Sequence, residues 1–368
     1  MFLFFLILVV LLMAIFLFFR HPQFGRKPTG AGLARLQQSP HYKNGQFHNI
    51  NPTPTFTKGY SFRKVFYDYL FGKHPRKRPV TPIRAIKTDL HSLPRHEDLL
   101  IWFGHSSYYL QIDGLRFLVD PVFSGNASPL RGSNRAFKGS DIYQPDDIPE
   151  IDYLLITHDH YDHLDYRTVR ALRPRIKQVV TGLGTGGHLQ RWGYDASCIT
   201  ELDWQENIVL NNNIVITATP ARHFSGRLFK RNNTLWLSFI LQSKKLRLYL
   251  GGDSGYDEHF KQIGDEYGPF DLALLDNGQY NAAWRAIHMF PEDVLKAAAD
   301  LRAMRILAGH SGKFTMSTHA WDEPLRRITE LNKNTGLQLL TPKIGQPVYL
   351  NDTTQQFEAW WQDPAKVL

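Results

Sequence analysis

The sequence predicts an α+β domain of two similar strand-then-helix halves packed face to face, carried behind an N-terminal membrane-spanning helix. Three observations lead there. Met1 to Phe19 are apolar without exception. As a helix at about 1.5 Å per residue such a run is roughly 28 Å long, close to a ~30 Å hydrocarbon core. From Leu99 onward, short apolar runs bounded by turn residues alternate with helical stretches. Finally, 43% of the 368 residues are hydrophobic and 21% charged, which supports a packed core and excludes a disordered or fibrous chain.

In chain order, residues 1–19 come first. A cleaved signal peptide wants a basic start and a small-x-small exit, whereas this chain starts Met-Phe-Leu-Phe-Phe and leaves through Phe18-Phe19-Arg20-His21, so an uncleaved anchor is expected. The first basic residues, Arg20, Arg26, Lys27 and Arg35, follow the span, which places the rest of the protein on the cytoplasmic side. Residues 20–96 read as a basic, proline-rich connector. Between 20 and 95 there are 15 Lys or Arg against Asp68 and Asp89, a local charge of +13 in a chain whose total is +9. Directly behind a membrane span, that block suits an anionic lipid surface, and no nucleic-acid partner is expected. Residues 60–71 mix rings with basic side chains; an interfacial anchor and a short helix packed on the following domain are both open.

The domain is expected over residues 97–368. Leu99 to Phe103 and Tyr108 to Ile112 read as strands, Asp113-Gly114 as a hairpin turn, and Leu115 to Val119 as the returning strand. Further strands are expected at 153–156, 178–180, 214–217, 235–241, 246–250, 272–275 and 305–307, with helices near 165–173, 187–192 and 291–303. The lone Cys198 excludes an internal disulfide and a cysteine zinc cluster, so any metal must be held by His and carboxylates.

Such residues gather just after the strands. His158-Asp-His-Tyr-Asp-His-Leu-Asp165 puts three imidazoles and three carboxylates into one loop, more polar groups than a helix or strand core tolerates idly. At spacing two, His158 and His160 can chelate one ion, while Asp162 and His163, past the turn, can reach a second. Imidazole nitrogen and carboxylate oxygen are donors that suit zinc. Later strands each end in a small residue followed by a single His or Asp: His223, Asp253 and His310.

These stations make the chain resemble the metallo-β-lactamase superfamily, and within it the N-acylphosphatidylethanolamine-hydrolysing phospholipase D family. The resemblance runs from about Trp102 to Tyr349 through Trp102-Phe-Gly-His-Ser106, Leu118-Val-Asp-Pro-Val-Phe-Ser124, Thr157-His-Asp-His-Tyr-Asp-His-Leu-Asp-Tyr166, Glu201-Leu-Asp-Trp204, Thr219-Pro-Ala-Arg-His223, Gly252-Asp-Ser-Gly-Tyr256 and Tyr267-Gly-Pro-Phe-Asp-Leu-Ala273. It implies an αββα sandwich with the site at one edge. It further implies His158, His160 and His223 on one metal, Asp162, His163 and His310 on another, and Asp253 bridging them. Two divalent ions are expected, zinc first, with manganese or iron compatible. Two such ions about 3.5–4 Å apart hold a hydroxide that attacks phosphorus, with Asp162 orienting it. His105 resembles a family position that supports the site. Asp120 and Asp165 can fix imidazole tautomers or merely cap turns, and His288 is either a substrate-pocket residue or a packing one.

The resulting expectation is a membrane-anchored dinuclear-metal phosphodiesterase acting on phospholipids, with homodimerisation left open. The alternative is a hydrolase of the same fold acting on a soluble lactone, thioester or nucleic acid phosphodiester. One motif is set aside: Gly182-Leu-Gly-Thr-Gly-Gly187 satisfies GxGxxG, but it lies inside the metal domain and not after the first strand of a dinucleotide-binding unit, so it reads as a tight strand-to-helix connection.

Overall fold

The computed structural model describes residues 1–228 and 230–362; Phe229 and the last six residues of the expected 97–368 domain lie outside the described residues. The chain opens with α1 (Phe2–Arg20), α2 (Ala31–Gln38), a short ladder β1 (Tyr42–Lys43) with β2 (Gln46–Phe47), and α3 (Phe62–Phe71). Then come β3 (Leu99–Trp102), β4 (Tyr108–Ile112), β5 (Leu115–Val119), β6 (Ile151–Ile156), α4 (Tyr166–Leu172), β7 (Ile176–Gly182), α5 (Gly186–Arg191) and β8 (Ile199–Leu202). The second half holds β9 (Asn207–Val209), β10 (Val215–Thr219), the hairpin β11 (Gly226–Arg227) with β12 (Lys230–Arg231), β13 (Ser238–Gln242) and β14 (Arg247–Leu250). It continues with α6 (His259–Tyr267), β15 (Leu272–Asp276), α7 (Pro291–Asp300), β16 (Arg305–Gly309), α8 (Glu323–Asn332) and β17 (Gln338–Leu340), and β18 (Pro347–Tyr349) returns to the first half.

Two seven-stranded sheets result, ordered β18-β3-β4-β5-β6-β7-β8 and β9-β10-β13-β14-β15-β16-β17. Each begins with three antiparallel pairings and ends with three parallel ones, so the two halves repeat one plan. Period-two alternation sorts the side chains. In β6, Tyr153 and Leu155 face the inter-sheet core while Leu154 and Ile156 face the outer layer with α4. In β15, Leu272 and Leu274 face inward while Ala273 and Leu275 meet α6 and α7. The predicted αββα sandwich is therefore what forms, because parallel strands covered on both faces must be apolar on both.

Some boundaries differ from the sequence expectation. The strand expected from Leu235 begins at Ser238, because the amides of Leu235 and Leu237 donate to Leu183 O at 2.8 Å and Thr157 O at 3.1 Å and so lace the second half onto loops of the first. The expected Asp113-Gly114 turn has φ of 48° and 80°, the left-handed pair a tight hairpin requires. The GxGxxG stretch is a tight turn into α5, with Glu201 Oε1 accepting the Gly186 amide at 2.7 Å.

None of the residues of α1 is buried, and among the described residues it is the one helix long and apolar enough to cross a membrane. The chain after α1 docks on the domain: Trp192 Nε1 donates to Pro22 O at 2.8 Å and Arg227 Nε to Gln23 O at 2.9 Å. In α3, capped by Ser61, no residue is buried, and Phe62, Phe66, Tyr67, Leu70 and Phe71 are each more than half exposed. Packing of residues 60–71 on the domain is thus not what the structure shows. The stretch just before α3 does run along the domain, from the Phe47 amide on Asn232 O at 2.8 Å to the Thr57 amide on Ala283 O at 2.8 Å.

Candidate metal centre

Strand ends at one edge of the sandwich deliver the polar residues. After β6 the chain turns back on itself, with the amides of His163 and Leu164 donating to His160 O, and this turn brings His158, His160, Asp162 and His163 to one side. After β14, Gly252 takes φ +58°, where a Cβ would lie 2.9 Å from the Thr157 side chain, so the turn that aims Asp253 needs a glycine. Three further site residues, His105, Asp120 and His310, hold φ of 55°, 42° and 58°, a region non-glycine residues rarely enter. Such outliers cluster where a fold over-determines a functional geometry. The two edges are tied directly, the His105 amide donating to Ser311 O at 2.8 Å and the His310 amide to His105 O at 2.9 Å.

The seven expected ligands come together. Nitrogens of His158, His160 and His223 lie within 4.8 Å of one another, and so do donor atoms of His105, Asp162, His163 and His310. Asp253 stands between the groups. Its Oδ2 is 3.9 Å from His158 Nε2 and 3.7 Å from His223 Nε2, while its Oδ1 is 3.1 Å from His163 Nε2 and 3.0 Å from His310 Nδ1. One carboxylate oxygen thus faces each trio. His163 Nε2, His310 Nε2 and Asp253 Oδ1 are buried without a hydrogen-bond partner. Buried polar atoms are nearly always paired, so this convergence of orphans with imidazole and carboxylate chemistry fits divalent cations.

Electrostatics agree with that fit at three of the histidines. Burial, reinforced by neighbouring imidazoles, holds His158, His223 and His310 well below the ordinary imidazole value, hence in the neutral form that ligates metal. Burial also disfavours charge on His163, but Asp253, Asp162 and Asp120 outweigh it and raise its pKa well above the usual value. Burial opposes ionisation of Asp162 too, yet His163 and His105 hold it far down.

Around the seven lie the residues that orient them. Asp120 accepts from the Thr157 amide at 2.9 Å and the Thr157 hydroxyl at 2.6 Å, and its Oδ2 is 2.7 Å from His163 Nδ1. His105 Nε2 lies 2.8 Å from Asp162 Oδ2. Asp165 does not behave as an imidazole partner: its carboxylate accepts from the Arg167 and Ser124 amides and the Thr168 hydroxyl, so it caps α4 and touches no histidine. His288 stands at the centre, its ring centroid 5.1 Å from those of His223 and His310. Its Nδ1 is 2.8 Å from Asp276 Oδ2. Burial pushes the Asp276 carboxyl up to about 7. Burial works against the charged form of His288, but Asp276 outweighs it and the imidazole sits above its ordinary value.

Asp276 and Asn49 are absent from the sequence expectation. Asp276 closes an ordinary apolar strand, and only its partner His288, after the next loop, distinguishes it. Asn49 lies in the connector, where no periodicity marks it. Its amide donates to His223 O at 2.8 Å and accepts from His223 N at 3.1 Å, clamping a candidate ligand across 174 residues.

With this geometry in hand, similarity to known proteins is informative. Residues 115–311 match the beta-lactamase superfamily domain. The chain is 37% identical over 334 residues to an uncharacterised protein of Mycobacterium tuberculosis, covering 89% of this chain and 88% of that one. It is 34% identical over 248 residues to an N-acyl-phosphatidylethanolamine-hydrolyzing phospholipase D of Caenorhabditis elegans, covering 62% of this chain and 68% of that one. Igni18, a metallo hydrolase from Ignicoccus hospitalis, shares the fold with a TM-score of 0.52 at 20% identity, over 68% of this chain and 97% of that one.

Proposed function

The chain belongs to the beta-lactamase superfamily, and on that premise we propose that it is a membrane-anchored, dinuclear-metal phosphodiesterase that hydrolyses phospholipids of the N-acylphosphatidylethanolamine type. The observation that carries the chemistry is Asp253, one oxygen turned to each trio of ligands. His158, His160 and His223 would hold one cation and Asp162, His163 and His310 the other. Two divalent cations, zinc in the first place, supply Lewis-acid chemistry when bound there, drawing charge from phosphoryl oxygens and acidifying water.

The chain's own residues do the rest. His105 and Asp120 fix the orientations of Asp162 and His163 through the contacts given above. A carboxylate oxygen of Asp162, kept ionised by its neighbours, accepts a hydrogen bond from the attacking water and aims it at phosphorus, and the proton the water loses passes to solvent. Asp276 holds Nδ1 of His288, which leaves Nε2 to give a proton to the departing head-group oxygen as the P–O bond breaks. The products are phosphatidic acid and an N-acylethanolamine.

Support for a lipid substrate comes from the named activity of the Caenorhabditis elegans relative and from how the chain is held. An apolar helix at the N-terminus and an exposed aromatic α3 in a segment of charge +13 would keep the site at a lipid surface, the domain on the cytoplasmic side. Metal-loaded protein in mixed micelles, offered a panel of phospholipids with products read by mass spectrometry, tests this. Phosphatidic acid and N-acylethanolamine are expected. Turnover of a soluble lactone, thioester or nucleotide diester with every phospholipid left intact would overturn the lipid assignment.

A further inference from the structure

Beside His223, the connector and the domain line an open cavity of 390 Å³. Asn49, Thr53 and Thr55 form its connector side, and Phe224, Arg231 and Ile287 stand on its domain side. The walls offer hydrogen-bonding groups and little apolar area, which suits a polar head and not an acyl chain. No Asp or Glu lines it.

Arg231 is held there from two directions. Its guanidinium carbon lies 4.0 Å from the centre of the Phe224 ring, and its Nη1 donates to Thr55 Oγ1 at 3.1 Å. Burial is the one influence that shifts its pKa, downward, and no carboxylate contributes. A guanidinium that is exposed yet stacked in place, facing a cavity without acidic groups, can receive a planar or tetrahedral oxyanion. The hairpin that carries it is tied through Arg227 to Gln23, just past the end of α1.

We propose that this cavity is a binding site for the phosphate or carboxylate group of an anionic ligand, gripped by Arg231. The inference goes beyond the hydrolase reading above and stands on the cavity and the placement of Arg231. The test uses the full-length protein, Arg231→Ala and Arg231→Lys in neutral detergent micelles. Calorimetry measures binding of phosphatidic acid, of diacylglycerol with the same acyl chains, and of inorganic phosphate, and metal content is measured in each sample.

Phosphatidic acid should bind about tenfold more weakly to Arg231→Ala, as expected for a lost charge-assisted bond, and Arg231→Lys should fall between, with diacylglycerol unchanged. A parallel loss for inorganic phosphate would assign the site to the anion from any source, and a loss for phosphatidic acid alone would assign it to a lipid-borne group. Unaltered phosphatidic acid binding, an equal loss for diacylglycerol, or loss of metal from both variants would overturn the site. The two readings separate cleanly. Arg231-dependent binding in a protein that cleaves no phospholipid would sink the lipid function and leave the anion site, whereas phospholipid cleavage with Arg231→Ala binding like wild type would do the reverse.

Discussion

The two halves of the sandwich share one strand plan but not one chemistry. In the first, the loop after β6 supplies four of the seven candidate ligands in six residues; in the second, His223, Asp253 and His310 come singly from the ends of three different strands. The supporting pairs are distributed more evenly. Asp120, after β5, holds His163 in the first half, and Asp276, at the end of β15, holds His288 in the second. The lesson is that the centre belongs to neither half: the first brings density of ligands, the second brings the carboxylate that faces both groups. That division can be broken at several points.

The largest effect is expected at Asp253. Asp253→Ala should lose both ions in elemental analysis, from about two per chain toward none, with activity down by roughly a thousandfold or more, on the order of 4 kcal/mol in transition-state terms. His310→Ala should cost mainly one ion. Equal losses in the two variants would contradict the bridging geometry. Next comes the shared core. Phe239, buried between the sheets, should cost about 3–5 kcal/mol on truncation to Ala, lowering a single cooperative transition in calorimetry. Two resolved transitions would show that the halves melt separately.

A smaller effect is expected at the matched supports. Asp120→Asn and Asp276→Asn each remove a carboxylate behind a histidine. For Asp120, chelator competition should report metal affinity weakened by about 10–100-fold. For Asp276, the loss should appear in turnover with metal affinity nearly kept. If the two variants behave alike, the distinction between a ligand support and a proton-donor support fails.

The last prediction concerns a buried histidine of the second half. Burial brings His259 down to about 4 from the ordinary 6.5, so its folded form resists protonation while the unfolded chain does not. A depressed imidazole contributes stability that is full above pH 6.5 and is lost as pH falls from there toward 4. At pH 5 the loss is about 2 kcal/mol. Denaturant titration of wild type against His259→Gln at pH 7.5 and 5 should show that difference shrinking in the variant; an unchanged pH slope would refute it.

Much of this was legible in the chain because apolar runs with a polar residue just beyond them are both the strands and the stations. His158 to His163 announce themselves by density, and Asp253 by the glycines before it. Asp165 looks the same in sequence as Asp120, both being an Asp beside a strand end or loop, yet one caps α4 and the other reaches a histidine. That choice depends on the path of the next three residues. Edge strands β9, β17 and β18, of three residues each, carry too few apolar side chains to be read from periodicity. The Asn49 clamp joins residues 174 apart, and nothing local encodes it.

That clamp bears on how the molecule can be cut. A fragment starting where the strands begin, near residue 97, would look like a self-sufficient unit on paper. It would leave behind Asn49, which pins the backbone of His223, and Thr53 and Thr55, which close one side of the neighbouring cavity. Versions for crystallisation or assay are therefore better begun between the end of α1 and residue 46, so that the exposed apolar helix is discarded while the strap beside the candidate metal centre is retained.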